Sequence, residues 1–148
     1  MLQKILITLV IFIVCTASAN EEFFKEAGKY YEINHILLIA IAQTESGQNP
    51  NAINCANKNG SCDYGIMQIN STHLPMLNRY GITKRDLFDE RTNIFLGAWV
   101  LKGCLNKHGI SFRSLNCYNG KIQNNDYYAK VLKNYWNFTE DSKNRQYY

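Results

Sequence analysis

At 148 residues, 46% hydrophobic and 19% charged, the chain is sized for a single globular domain. Its net charge of +4 suits an anionic polymer or surface, and equally an ordinary solvated exterior, but the cations form no basic run of the kind that reads nucleic acid. Past residue 19 no apolar run approaches the ~18 residues that a membrane-spanning helix needs, and no repeat, low-complexity stretch or linker divides the chain.

The first nineteen residues read as an export leader. Lys4 gives a short positive start, Ile5 to Val14 an apolar segment, and Ala17-Ser18-Ala19 a small-residue cleavage site. Cleavage after Ala19 removes Lys4 and Cys15 and leaves Cys55, Cys62, Cys104 and Cys117 in an exported domain. An even number of cysteines in that setting implies two disulfides, with three possible connectivities. Proximity favours Cys55–Cys62 and Cys104–Cys117, and loops this short contribute roughly 2.5–3 kcal/mol each on chain-entropy grounds. No CxxC pair occurs, which argues against zinc, and neither a metal nor an organic cofactor is expected.

Glu21 to Tyr31 reads as a first helix, with Phe24, Ala27 and Tyr31 on one face and Glu21 and Glu22 in the first turn, where the helix dipole favours acids. Asn34 is a good N-cap for a second helix to Ser46. There Ile36, Leu37, Ala40, Ile41 and Thr44 recur at helical spacing, and Gly47 can end the helix in the left-handed conformation. Gln48 to Gly65 lacks helical periodicity, and the Asn-Gly turn in Lys58-Asn59-Gly60-Ser61 predicts a small hairpin pinned by Cys55 and Cys62. The apolar run Gly65-Ile66-Met67-Gln68-Ile69-Asn70 follows, with one amide set inside it.

Thr72 caps a short helix to about Tyr80, and Thr83 another over Lys84 to Phe88. Thr92 to His108 is the longest helical pattern, with Ile94, Ala98, Leu101 and Leu105 on one stripe and Gly109 as its stop. Ser111 opens a short helix to Tyr118, and a last helix runs from about Asn125 to Asn137 with Tyr128, Val131 and Tyr135 inward. A polar, frayed tail is expected over Thr139 to Tyr148. The result is a mainly α domain, residues 20–138, with one small β-hairpin beside the candidate active centre.

That centre is Glu45. A carboxyl in the last turn of an apolar helix faces the helix carbonyls and lacks water, and both effects raise its pKa. Such a group suits proton donation near neutral pH. The three histidines, His35, His73 and His108, are scattered without a partner pattern, and His108 reads as a dipole or capping residue at a helix end.

Taken together, Glu45-Ser46, Gly65-Ile66-Met67-Gln68-Ile69-Asn70, Cys117-Tyr118-Asn119-Gly120 and Tyr127-Tyr128 resemble the ordered motifs of the soluble lytic transglycosylases. These enzymes cut bacterial peptidoglycan on a goose-lysozyme-like fold. The resemblance runs from about Phe23 to Trp136. It is nearest to the small single-domain members that accompany secretion systems (type III included), type IV pili and conjugation machines. Asn49 to Asn54, Asp63 ahead of the Gly-x-Met-Gln-Ile motif, and the cysteines around Tyr118-Asn119 carry that finer likeness. Lys121 departs from the second glycine common after the Tyr-Asn pair.

The resemblance implies a lysozyme-like fold and a monomeric periplasmic enzyme acting on glycan strands, with partners in an envelope-crossing machine and no stable membrane insertion. It also implies Glu45 as acid and then base, with the muramic C6 hydroxyl capturing C1 to give a 1,6-anhydro product. Asp63 is a candidate second catalytic carboxylate, or a turn residue; as a catalyst it admits lysozyme-like hydrolysis. Ser46, Met67, Gln68, Asn70, Tyr118, Asn119 and Tyr128 are the expected substrate-binding residues, with Tyr118 and Tyr128 offering rings to sugars and a hydroxyl to Glu45. A reading of a different class is a wall-binding assembly factor with little lytic activity.

Overall fold

The computed structural model describes residues 19–145, so apart from Ala19 the expected leader lies outside the described residues. Six α-helices and one small sheet follow in order: α1 (Ala19–Tyr31), α2 (His35–Ser46), β1 (Ile53–Asn54), β2 (Asp63–Tyr64), β3 (Ile69–Asn70), α3 (Leu74–Leu77), α4 (Glu90–His108), α5 (Phe112–Tyr118) and α6 (Tyr127–Arg145). Short 3-10 turns at Ser71–His73, Asn78–Tyr80 and Arg85–Phe88 link the sheet to α4.

The architecture is organised on α2. Asn34 caps it by accepting the Ile36 N–H at 2.9 Å, and Gly47 closes it at φ 63°, its N–H returning to Gln43 O at 3.1 Å. Leu38, Ala40, Ile41 and Ala42 are all fully buried, because α1 and α6 both pack against this helix. A helix apolar on most sides has to sit inside. The long α4 packs on α1 and α5, and its Ile94, Ala98 and Leu101 complete the core with Phe24, Ile66, Leu87 and Val131. Each of the larger side chains gains about 1.5–3 kcal/mol from that burial.

Both disulfides form as proximity suggested. Cys55–Cys62 closes the loop between β1 and β2 with Cα atoms 4.2 Å apart, and Cys104–Cys117 ties α4 to α5 with Cα atoms 5.8 Å apart. The expected hairpin is present as β1–β2, with Ile53 opposite Tyr64 and Asn54 opposite Asp63. A third strand extends it: β3 pairs antiparallel with β2, Asp63 opposite Asn70. Each strand is two residues long, too short for alternation to mark it in the sequence.

Other boundaries also move. α4 begins at Glu90 rather than at the expected Thr92, and Asp89 caps it, its carboxylate accepting the Thr92 N–H at 2.8 Å. Asn70 caps the stretch that Thr72 was expected to open, and that stretch breaks into 3-10, α and 3-10 turns around Pro75. The last helix continues through Arg145, past the expected stop at Asn137, so the chain over 139–145 is helical rather than frayed. Phe138, packed against the core, gives it a reason to continue. No helix among the described residues is long and apolar enough to cross a membrane.

Candidate active site

The site is assembled where the end of α2 meets the turn Gly65–Gln68, which the side chains of Asn93, Ser46, Gln68 and Tyr118 hold in place. Asn93, buried in α4, accepts the Met67 N–H at 2.7 Å and donates to Tyr64 O at 2.9 Å and Leu87 O at 2.7 Å. Both polar atoms of its side chain are thus bonded to backbone, as a buried amide requires. Ser46 Oγ donates to Ile66 O at 2.7 Å, tying α2 to the same turn. Gln68 sits at φ 52°, and its Nε2 donates to Gly65 O at 2.9 Å and Ala52 O at 3.3 Å, holding that unusual backbone. Gly65 at φ 78° could not be another residue, since a Cβ there would overlap the Leu87 carbonyl and the Asn93 amide.

Glu45, in the last turn of α2, opens onto a cleft of about 620 Å³ shared by the sheet, the β1–β2 loop and the end of α5. Its Oε1 accepts a hydrogen bond from the Tyr127 hydroxyl at 2.6 Å. Burial pushes its pKa up to about 7; the Tyr127 hydrogen bond pulls against this and the negative charge of Asp63 adds to it. Near neutrality the group is therefore divided between acid and base. Burial and the neighbouring Glu45 charge raise the pKa of Tyr127, so it remains a hydrogen-bond donor.

Tyr118 lies nearly parallel to Tyr127, ring centroids 6.5 Å apart, and its hydroxyl donates to Met67 O at 2.8 Å. Its pKa also rises, through burial and then the charges of Glu45 and Asp63. The Cys104–Cys117 disulfide fixes the residue just before it. Asp63, on β2, lines the same cleft as Glu45. Three side-chain amides orient its carboxylate: Asn70 at 2.6 Å on Oδ1, and Asn57 at 2.8 Å and Asn54 at 3.3 Å on Oδ2. Asp63 is thus held by side chains from all round it, not by the turn's own backbone donors.

Of the residues singled out in the sequence, Glu45, Asp63, Gln68, Asn70, Tyr118 and Asn119 line one cleft. Ser46, Met67 and Tyr128 do not. Ser46 is committed to backbone atoms, and Met67 is fully buried against Gly97, where a Cβ would overlap the thioether chain. Tyr128 packs its ring on Phe112 at 5.5 Å, one helical step away from Tyr127, which holds the place against Glu45 expected of Tyr128. Asn93 and the Asn54–Asn57 pair were also missed. Only an amide within the apolar stripe of α4 hinted at Asn93.

With this geometry in view, comparison with known proteins is informative. The profile of the transglycosylase SLT domain matches residues 22–135. The chain is 33% identical over 131 residues to the invasion protein IagB of Salmonella typhi, covering 86% of this chain and 81% of that protein. It is 40% identical over 119 residues to a peptidoglycan-binding-like protein of Escherichia coli O157:H7, covering 76% of this chain and 71% of that protein. Against protein IpgF of Shigella flexneri the identity is 33% over 125 residues, with 80% and 82% covered. In fold it is similar to an inactive mutant of the lytic transglycosylase Slt from Pseudomonas aeruginosa, with a TM-score of 0.58 at 17% identity, covering 80% of this chain but only 22% of that one. The SLT match over most of the chain, with these relatives and a helical fold bearing a small three-stranded sheet beside Glu45, shows that the chain belongs to the transglycosylase SLT family and is a peptidoglycan lytic transglycosylase.

Proposed function

We propose that the enzyme cuts the MurNAc-β-1,4-GlcNAc bond with Glu45 as its single acid–base catalyst and releases 1,6-anhydro-muramic ends. The observation that carries this is the half-buried Glu45 carboxyl at the cleft, its orientation held by Tyr127 and its pKa raised to about 7. Protonated, Glu45 gives its proton to the leaving glycosidic oxygen. The positive charge that develops at C1 is stabilised by the Asp63 carboxylate and captured by the sugar's own acetamido oxygen. Glu45, now ionised, takes the proton of the C6 hydroxyl as the C6 oxygen bonds to C1 and the bond from C1 to the acetamido oxygen breaks, restoring the neutral acetamide. One group serves both steps because its proton is held neither tightly nor loosely at the working pH.

The amides of Gln68, Asn70 and Asn119 and the ring of Tyr118 bind the sugars in this reading. Among the described residues Gln68 Oε1 and Asn119 Nδ2 have no hydrogen-bond partner, which supports that role. Ser46 and Met67 act indirectly, by fixing the turn.

The presence of Asp63 in the cleft favours one second reading, lysozyme-like hydrolysis in which that carboxylate assists a water. Mass spectrometry of digested cell wall separates the two. Products lighter by one water, with anhydro-muramic ends, are expected; reducing ends would overturn the transglycosylase reading.

The expected leader supports action in the periplasm, where a domain of this size opens the wall locally for a secretion, pilus or conjugation apparatus. Similarity to an invasion protein agrees with that setting. Deletion of the enzyme is expected to impair assembly of the machine it serves, and rescue by an inactive Glu45→Gln protein would make it an assembly factor instead.

A further inference from the structure

Unpaired positive charge and exposed apolar surface are gathered in one part of the molecule, outside the cleft. From Arg91 to Thr139 the sequence has seven lysines and arginines and a single acid, Asp126; acids return only at Glu140 and Asp141, past Trp136 on α6. Two of those cations are spoken for, Arg91 by Glu26 and Lys102 by Glu32. Lys107, Arg113, Lys121, Lys130 and Lys133 are exposed and make no ion pair among the described residues.

The same stretch carries apolar side chains that nothing in the chain covers. Ile110, in the loop between α4 and α5, is 99% exposed, and Phe112 next to it is 56% exposed. Phe112 meets the ring of Tyr128, and from there Tyr128, Leu132 and Trp136 follow at i, i+4 and i+8 along one side of α6, a stripe of about 12 Å. Leu132 and Trp136 are exposed, while Val131 takes the core side of the same helix and is fully buried. None of these apolar or cationic residues lines the cleft.

Shape and charge together select the occupant. A side chain as exposed as Ile110 projects clear of its neighbours, so a protein partner would need a pocket to receive it, whereas a fluid interface needs none. Rings and aliphatic side chains with lysines and arginines around them suit the boundary between headgroups and acyl chains. There the apolar bodies and the cation stems are buried while the charges reach phosphate. Each cation near an anionic lipid surface strengthens binding about fivefold.

We propose that the α4–α5 loop and the outer side of α6 form a peripheral docking face for a bilayer containing anionic phospholipid, which holds the enzyme reversibly at the membrane surface and leaves the cleft uncovered. The face is separate from the cleft, so its failure would leave the lytic reading standing.

The test is co-sedimentation of the exported chain, residues 20–148, with vesicles of phosphatidylethanolamine and phosphatidylglycerol, and separately with phosphatidylcholine vesicles. Binding is expected with the anionic vesicles alone and should weaken as salt is raised. Ile110→Ser should lower the affinity about tenfold without disturbing the fold, since that side chain packs on nothing. Lys107→Gln combined with Arg113→Gln should lower it about thirtyfold. In a Trp99→Phe background Trp136 is the one tryptophan left, and its emission should move to the blue when anionic vesicles are added. Release of product from soluble glycan should be unchanged in the Ile110 variant and in the paired cation variant. Absence of binding to the anionic vesicles, equal binding to phosphatidylcholine, or an affinity that Ile110→Ser leaves unmoved would overturn the proposal. So would loss of binding to purified wall in the paired cation variant with vesicle binding intact, which would assign the cations to wall polymer.

Discussion

Two carboxyls share the cleft and are treated in opposite ways. Glu45 ends an apolar helix and receives one hydrogen bond, from a phenol whose own proton is firmly held. Asp63 stands on a short strand in a disulfide-closed loop and receives three hydrogen bonds from side-chain amides. The first environment leaves a proton free to come and go, and the second fixes a charge in space. In the reaction proposed above, with one moving proton and one stationary negative charge, the division of labour follows from what surrounds each group rather than from the groups themselves.

The most disruptive way to break that comparison is Glu45→Gln. It removes the proton donor while the amide oxygen still accepts from Tyr127, and turnover is expected to fall by at least about a thousandfold, read as loss of product from purified wall. The fold should gain. The folded-state pKa of about 7 lies above the ordinary 4.5, so protonation stabilises the fold fully below pH 4.5, and that contribution is lost as pH rises through 7. The Gln variant carries no such dependence. Relative to wild type it should be more stable at pH 8 than at pH 4 by about 2–3 kcal/mol, measured by urea unfolding at both pH values. A pH-independent difference would mean that Glu45 is not held in a proton-retaining environment.

Tyr127→Phe sharpens the comparison from the other side. Its hydroxyl lowers the Glu45 pKa against the effect of burial, so its loss should move the alkaline limb of the pH–rate profile upward. A kcat decrease of about tenfold is expected from the freed carboxyl orientation. Asp63→Asn removes the fixed charge and should shift that limb downward, with kcat reduced severalfold and the fold intact. An unchanged rate and profile would reduce Asp63 to a turn residue. Opposite displacements of one limb by two neighbouring substitutions constitute a stringent check on the electrostatics of the site.

The parts of this structure that were legible in the sequence are those with a local cause. Asn34 and Gly47 mark the ends of α2 within a residue because caps act on adjacent backbone, and Glu45 follows from its place before Gly47. Both disulfides join the cysteines nearest in sequence. Strand β3 was not legible, since Ile69 and Asn70 pair only because the Gly65–Gln68 turn folds back on β2. Met67 read as a cleft residue through its motif, but Gly97 on α4, 30 positions later, opens the space that buries it. Asp63 was visible as a charge, whereas its three amide donors come from two strands and a loop. Such information exists only in the packing of elements distant in the chain.

The neighbouring tyrosines are the clearest instance, and they give the smallest predicted effect. Tyr127 and Tyr128 are adjacent on α6, so their side chains leave the helix about 100° apart. Which of them meets Glu45 depends on the rotation of α6 about its axis, which Val131 sets by packing into the core. The sequence supplies the pair but not the phase. Tyr128 instead meets Phe112, and no described hydrogen bond engages its hydroxyl. Tyr128→Phe should therefore leave kcat and the pH–rate profile within about twofold of wild type, because the hydroxyl lost makes no described contact with Glu45. Tyr127→Phe made beside it should show the full shift. If the two variants behaved alike, the phase of α6 seen here would not be the one in which the enzyme works, and the proton-sharing contact at Glu45 would lose its structural basis.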